Sequence, residues 1–319
     1  MQPSRRAFLF GRQTPRTPWE AFLQRLQRQV QGGVRTSARD REDSRCARLA
    51  PLHREDVRQA RALCAEYGVG LQLLCSPSSP GADTTGGRDD SGAALNHDQP
   101  ILQIDPVRLN ALACAPHGQS WQAEPGCLVG DLVDAGLTQL RDAPSEWTLA
   151  TWLASSSHWA SGATDASGVV EIDVLLSDGT AEQLGPFGAT DLRPLRSATI
   201  QRLVPTLFQL SMSPDAIICR ESRAWPCGYR LDALSPTAPA EVNLAQLLLG
   251  HGGTLAWVES VTLRPAEAIV PDPSCANVIC TEQVTHAAQR LQGRIKQAFD
   301  PRGLFCGRTD SEQDGNLSF

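Results

Sequence analysis

Apolar residues recur at helical spacing in several stretches of this chain and at strand spacing in others. From Trp19 to Val30, the residues Trp19, Phe22, Leu23, Leu26 and Val30 share one helical face, with Arg25 and Arg28 opposite, before a polar stretch from Gln31 to Ser44. The pattern predicts a helix on a tether, either an arm packed on its own core or a docking element for a partner. A second helix is predicted over His53 to Tyr67. Val57, Ala60, Cys64 and Tyr67 recur on one face, Glu55 and Asp56 occupy the first turn, and Gly68 follows as a stop. Val69 to Cys75 is an apolar run of strand length, Ser76 to Gln99 is rich in Pro, Gly, Ser, Asp and Thr and reads as an irregular loop, and Ile101 to Asp105 is the next strand. The rhythm of strand, helix, strand, long loop, strand over 47–105 predicts a small α/β lobe.

A larger, strand-rich unit follows. Ser120 to Glu124 turns at Pro125-Gly126 into an expected helix carrying Leu128, Leu132, Val133 and Leu140. Val169 to Leu176 is an apolar, β-branched run, and Asp178-Gly179 signals a hairpin before Thr180 to Leu184. A helix is predicted over Ala198 to Leu210, a strand over Leu255 to Leu263, and a final helix from Glu282 to Phe299 that ends at Asp300-Pro301. The resulting division is an amino-terminal arm over 1–44, a first lobe over 45–112, a second over 113–265, and a carboxy-terminal helix and tail over 266–319.

Composition narrows the reading. A chain of 319 residues with 41% hydrophobic content supports a large core. A net charge of −6 gives no electrostatic reason for nucleic acid or an anionic membrane as partner. No apolar run reaches the roughly 18 to 20 residues of a membrane span. Ser4-Arg5-Arg6-Ala7-Phe8-Leu9 resembles a twin-arginine export signal, but the polar, proline-rich stretch from Gly11 to Pro18 stands where an apolar segment is needed, so a cytoplasmic location is expected. The ten cysteines are scattered and form no Cys-x-x-Cys pair; reduced, mostly buried thiols and no metal site are expected.

Several segments, in order, resemble the FAD-linked oxidase family. They are Pro51 to Leu74, Glu124-Pro125-Gly126, Pro144-Ser145 with Thr148 to Ala154, Val169 to Gly179, Gly228 to Asp232, Gly250-His251-Gly252-Gly253-Thr254-Leu255, and the closing Ile295 to Phe305. The resemblance covers roughly residues 45–308. It implies an α+β fold with two lobes, a PCMH-type FAD-binding arrangement of a small α/β lobe and a larger α+β lobe. No large cap domain is expected, because only Ala266 to Cys280 separates the last matched strand from the final helix.

The implied cofactor is FAD, held non-covalently because no histidine stands at a matching attachment position. A pyrophosphate needs main-chain N–H groups in loops of small residues. The candidates are Ser76, Ser78, Ser79 and Gly81 in a first loop, Ser145, Leu149, Ala150, Thr151 and Ala154 in a second, and Gly162, Val169 and Ile172 on the adenine side. Pro77 and Pro80 stand in the first loop and Ala150-Thr151 in the second, where the family has glycines. The resemblance implies an FAD-binding subunit of a glycolate or lactate (2-hydroxy acid) oxidase complex. Catalytic and iron-sulfur subunits are its implied partners, a small molecule its substrate, and hydride transfer to flavin its chemistry. The alternative is a non-catalytic partner subunit whose flavin site has eroded. Polar candidates near the motifs are His251, Tyr229 and Arg230, none of them assigned a catalytic role.

Overall fold

The computed structural model describes residues 17–36, 45–75, 99–115, 120–155, 160–188, 195–222, 224–266 and 281–307. Two five-stranded sheets organise it, one per lobe.

The first lobe contains α1 (Pro18–Gln29), β1 (Gly33–Thr36), β2 (Cys46–Ala50), α2 (Arg54–Tyr67), β3 (Gly70–Leu73), β4 (Ile101–Ile104) and, returning from the far end of the chain, β10 (Phe305–Cys306). Its strand order is β1-β2-β4-β3-β10, with β1 antiparallel and the others parallel to their neighbours. The expected strand, helix, strand, strand rhythm is therefore present. The described part of the expected tether, 31–36, is tied to the lobe: α1 packs on α2, Phe22 and Leu26 lie fully buried in the first lobe's core, and Gly33–Thr36 extends its sheet, while 37–44 lie outside the described residues. Buried Asp56 anchors this arrangement, its carboxylate accepting N–H bonds from Gln31 (2.7 Å), Gly32 (3.0 Å) and Leu52 (2.9 Å). The structure thus answers the open choice at this helix in favour of an arm packed on its own core.

The second lobe contains β5 (Leu112–Cys114), β6 (Trp121–Ala123), α3 (Val129–Asp134), α4 (Leu149–Ala154), β7 (Val169–Leu175), β8 (Ala181–Leu184), α5 (Ala198–Ser211), α6 (Pro214–Arg220), β9 (Trp257–Leu263) and α7 (Glu282–Phe299). The sheet order β5-β6-β9-β7-β8 is antiparallel throughout. Asp178 and Gly179 turn the β7–β8 hairpin, with the Asp178 carboxylate accepting from Thr180 N–H at 2.8 Å. The single helix expected through Leu140 is shorter: α3 closes at Ala135-Gly136, and a separate 3-10 turn carries Thr138–Leu140. Both helical pieces bury their leucines in one core with α5, α7 and the inner face of the sheet.

Among the described residues no helix is long and apolar enough to cross a membrane, no three His, Cys, Asp or Glu side chains cluster as metal ligands, and no disulfide joins the cysteines. Burial pushes the thiols of Cys127 and Cys227 up to about 11 and about 12, and Cys64 higher still, which keeps them protonated and unreactive.

Candidate functional site

The lobes meet along a seam built from small and flat side chains. Ala150 and Ala154 of α4, Leu175 of β7 and Trp257 of β9 belong by sequence to the second lobe but pack into the core of the first, beside Leu71, Leu73 and Phe305. Polar links cross the same boundary. Arg58 pairs with Glu259, Arg61 Nη1 donates to Ser177 O at 2.9 Å, and Lys296 Nζ donates to the carbonyls of Thr254 (2.7 Å) and Phe305 (2.9 Å). Asp300 holds that lysine in turn, and accepts from the backbone N–H groups of Leu304 and Phe305.

At the carboxyl end of β3 the chain runs onto α4, where Thr151 Oγ1 donates to Cys75 O at 3.3 Å. The end of a parallel strand is where open α/β sheets receive ligands, because the loops leaving it diverge there. Cys75, the last described residue before the first candidate segment, therefore lies beside the second. Ser76, Ser78, Ser79 and Gly81 themselves lie outside the described residues.

The other candidates fall in different places. Ser145 is exposed, its carbonyl accepting from Gly130 N–H at 3.0 Å. Leu149, Ala150, Thr151 and Ala154 all belong to α4, a one-and-a-half-turn helix capped by Thr148, whose hydroxyl accepts from Thr151 N–H. Leu149 N–H donates to Cys127 O and Ala150 N–H to Pro125 O. The amides expected to meet a phosphate are thus already bonded within the protein. What α4 presents to the first lobe instead is the small-residue face of Ala150 and Ala154.

Val169 and Ile172 point into the second lobe's own core, at 2% and 0% exposure, and so present no surface to the seam. Gly162 lies on an open groove of about 580 Å³ with Asp165, Thr237 and Arg264, which shares no lining residue with the seam cavity. Its N–H donates to Asp232 Oδ2 at 2.7 Å. Arg230 in turn grips that carboxylate through Nε (3.0 Å) and Nη2 (2.7 Å), with both side chains buried. Arg230 is consumed in this structural pair. Tyr229 is likewise placed by packing, its hydroxyl 2.7 Å from Thr254 Oγ1.

His251 stands in a motif that assigns it no role, and Trp257 stands in none. His251 sits on a loop that runs back along α4, with Gly250 N–H donating to Leu153 O (2.7 Å) and Gly252 N–H to Ala154 O (2.9 Å). The loop touches the first lobe at Gly253, where φ is +72° and an added Cβ would lie 2.8 Å from Leu73 Cβ, so only glycine fits. His251 is 2% exposed, and burial pulls its imidazole down to about 4, leaving it neutral near pH 7. Among the described residues, four buried side-chain polar atoms lack a hydrogen-bond partner, and two of them are His251 Nδ1 and Trp257 Nε1. Both residues line one seam cavity of about 10 Å³, with Leu71, Leu73, Ala150 and Phe305. At that size the cavity has room for a water and not for the ring portion of a cofactor such as FAD. The phosphate portion finds no free amide in the first turn of α4.

No family model matches the sequence, and no curated protein does. Solved structures with a similar course of the chain include 6-hydroxy-D-nicotine oxidase from Arthrobacter nicotinovorans. It is 14% identical, over 74% of this chain and 42% of that one, at a TM-score of 0.40. A glucooligosaccharide oxidase from Acremonium strictum, studied for its FAD, is 13% identical over 79% and 43% of the two chains, at 0.42. For an alkyldihydroxyacetonephosphate synthase the values are 16%, 68%, 32% and 0.36. This chain spans less than half the length of each. These are distant likenesses, below the level at which any property passes from them to this chain.

Proposed function

We propose that this chain is an FAD-binding oxidoreductase subunit of the FAD-linked oxidase type, holding the dinucleotide non-covalently along the seam and serving in a 2-hydroxy acid oxidase complex for a substrate such as glycolate or lactate. The observation that carries the reading is the meeting of Cys75 and Thr151. It sets Cys75, which in sequence directly precedes the segment bearing Ser76, Ser78, Ser79 and Gly81, against the distant segment bearing Ala150 and Ala154.

In this reading the 76–81 segment supplies the amides for the cofactor's phosphates, and the rings lie outside the packed seam, where Ala150, Ala154, His251 and Trp257 are buried. When bound, FAD accepts a hydride from the substrate. The chain's own contribution is orientation and exclusion of water: the seam walls are apolar and closely packed, which strengthens each polar contact made there. The described residues hold no exposed acid–base pair at the seam. That supports a division of labour in which a partner subunit, an iron-sulfur subunit among them, completes the reaction.

The test is to purify the chain alone, denature it and look for released FAD, then titrate the flavin-free protein with FAD anaerobically. Bound flavin at a one-to-one ratio is expected. Colourless protein that takes up no FAD would overturn the reading in favour of a non-catalytic partner subunit.

A further inference from the structure

One face of the first lobe's sheet lies outside both apolar cores. By register, Ala47 and Leu49, Leu71 and Leu73, and Leu102 and Ile104 share a face, and they pack with Val57, Ala60 and Leu63 of α2. The opposite face carries a row of Arg35, Arg48, Gln103, Gln72 and Cys306, one residue from each strand. Arg48 pairs with Asp105 there, and Gln103 Nε2 donates to Gln72 Oε1 at 3.0 Å. Ile101, on the same face, is 6% exposed and Gln72 is 7% exposed, yet Ile101 belongs to neither apolar core among the described residues. Parallel strands are ordinarily covered on both faces.

The order of the strands dictates what covers that face. β2, β4 and β3 are parallel neighbours, so each link between two of them has to cross over the sheet. Such crossovers are right-handed in about 98% of cases. The link from β2 to β3 travels past β4 and carries α2 on the apolar-core face. The link from β3 to β4 travels the other way across the sheet, and two right-handed crossovers that run in opposite directions use opposite faces. We propose that the polar face is an internal docking surface whose occupant is the chain's own 76–98 segment, crossing from β3 to β4 over Gln72, Gln103 and Arg48. That segment is longer than the roughly dozen residues a crossover needs. Its charge complements the face: Asp83, Asp89, Asp90 and Asp98 outnumber its one basic residue, Arg88, and Arg35 lies opposite Arg48 on the sheet. Leu95, which apart from proline is its only apolar side chain larger than alanine, is the cover for Ile101. A crossover so placed makes this face an interior layer of the lobe rather than a site for a partner subunit, whether or not FAD is bound.

The experiment uses the full chain with Gln103 replaced by the photo-crosslinking amino acid p-benzoylphenylalanine, irradiated, digested and read by mass spectrometry. Adducts to peptides from 76–98 are expected. Adducts confined to 37–44, to 308–319 or to a second copy of the chain, or no adduct at all, would overturn the proposal. A double-variant cycle reads the same contact without a bulky label. Leu95→Ala and Ile101→Ala are each expected to lower the urea midpoint of unfolding, and the double variant to lower it by less than the two shifts combined, because the second substitution removes a contact already lost. Additive shifts, or a Leu95→Ala midpoint equal to that of the wild type, would overturn the proposal too.

Discussion

Arg58 on α2 makes a two-point ion pair with Glu259 on β9, the middle strand of the second lobe's sheet, with Nε–Oε1 and Nη2–Oε2 both at 2.6 Å. The glutamate side chain is 3% exposed and the arginine 35%. Removing the arginine leaves a buried carboxylate with no countercharge. For a fully buried pair that costs about 3–5 kcal/mol, and partial solvation of Arg58 reduces it to about 2–3 kcal/mol. Arg58→Met is expected to lower stability to urea by that amount, and Arg58→Met with Glu259→Gln to recover part of it. Two equal unfolding curves for wild type and Arg58→Met would show the pair to be without consequence.

The first helix is predicted to be part of the fold's stability. Phe22 is fully buried, stacked on Trp19 at 5.3 Å and edge-on to Tyr67 at 5.9 Å between ring centroids. Phe22→Ala should cost about 3–5 kcal/mol, the usual range for emptying a buried aromatic site. Deleting residues 1–32 should yield insoluble protein, whereas a free-standing arm would leave the midpoint of thermal unfolding where it was.

Gly253 and Gly68 both have positive φ, but only Gly253 is crowded. Gly68→Ala is expected to cost about 1–2 kcal/mol, the left-handed penalty alone. Gly253→Ala adds the collision with Leu73 and should cost about 2–4 kcal/mol. Chemical denaturation of both variants checks the ordering; because the collision is with the Leu73 Cβ, Leu73→Ala should not relieve the Gly253→Ala defect.

His251 makes stability depend on pH. Its folded value lies below its ordinary 6.5, at about 4, so the unfolded chain takes up a proton first as pH falls. This contribution is therefore full above about pH 6.5 and is lost towards pH 4, amounting to about 3 kcal/mol. Unfolding free energies measured between pH 7 and 4 should fall less steeply for His251→Phe than for the wild type. Parallel slopes would mean that the imidazole is protonated within the fold.

Local pattern carried much of the architecture. The helix over Glu282–Phe299, the Asp178-Gly179 hairpin and the α/β rhythm of the first lobe were all legible because each is written in residues close together in sequence. The placement of α1 was less so. Its apolar face was plain, but what covers that face depends on Asp56 binding the amides of Gln31 and Gly32 across the lobe. The candidate site divided in the same way. Ala150 and Ala154 reach the seam, while Val169, Ile172 and Gly162, although near them in the motif order, face the second lobe's core or a separate groove. Trp257 carried no signal beyond lying in an apolar strand.

From its sequence alone this protein was bound to form two lobes of different character, since hydrophobic period and turn residues dictate helices, strands and their order. Which side chains share the seam was decided only in three dimensions. The pairing of β3 with α4 and the return of the His251 loop along that helix depend on sheet register and on carbonyls distant in sequence. A motif names residue types, whereas an unsatisfied nitrogen such as that of Trp257 becomes visible only once every neighbour is in place.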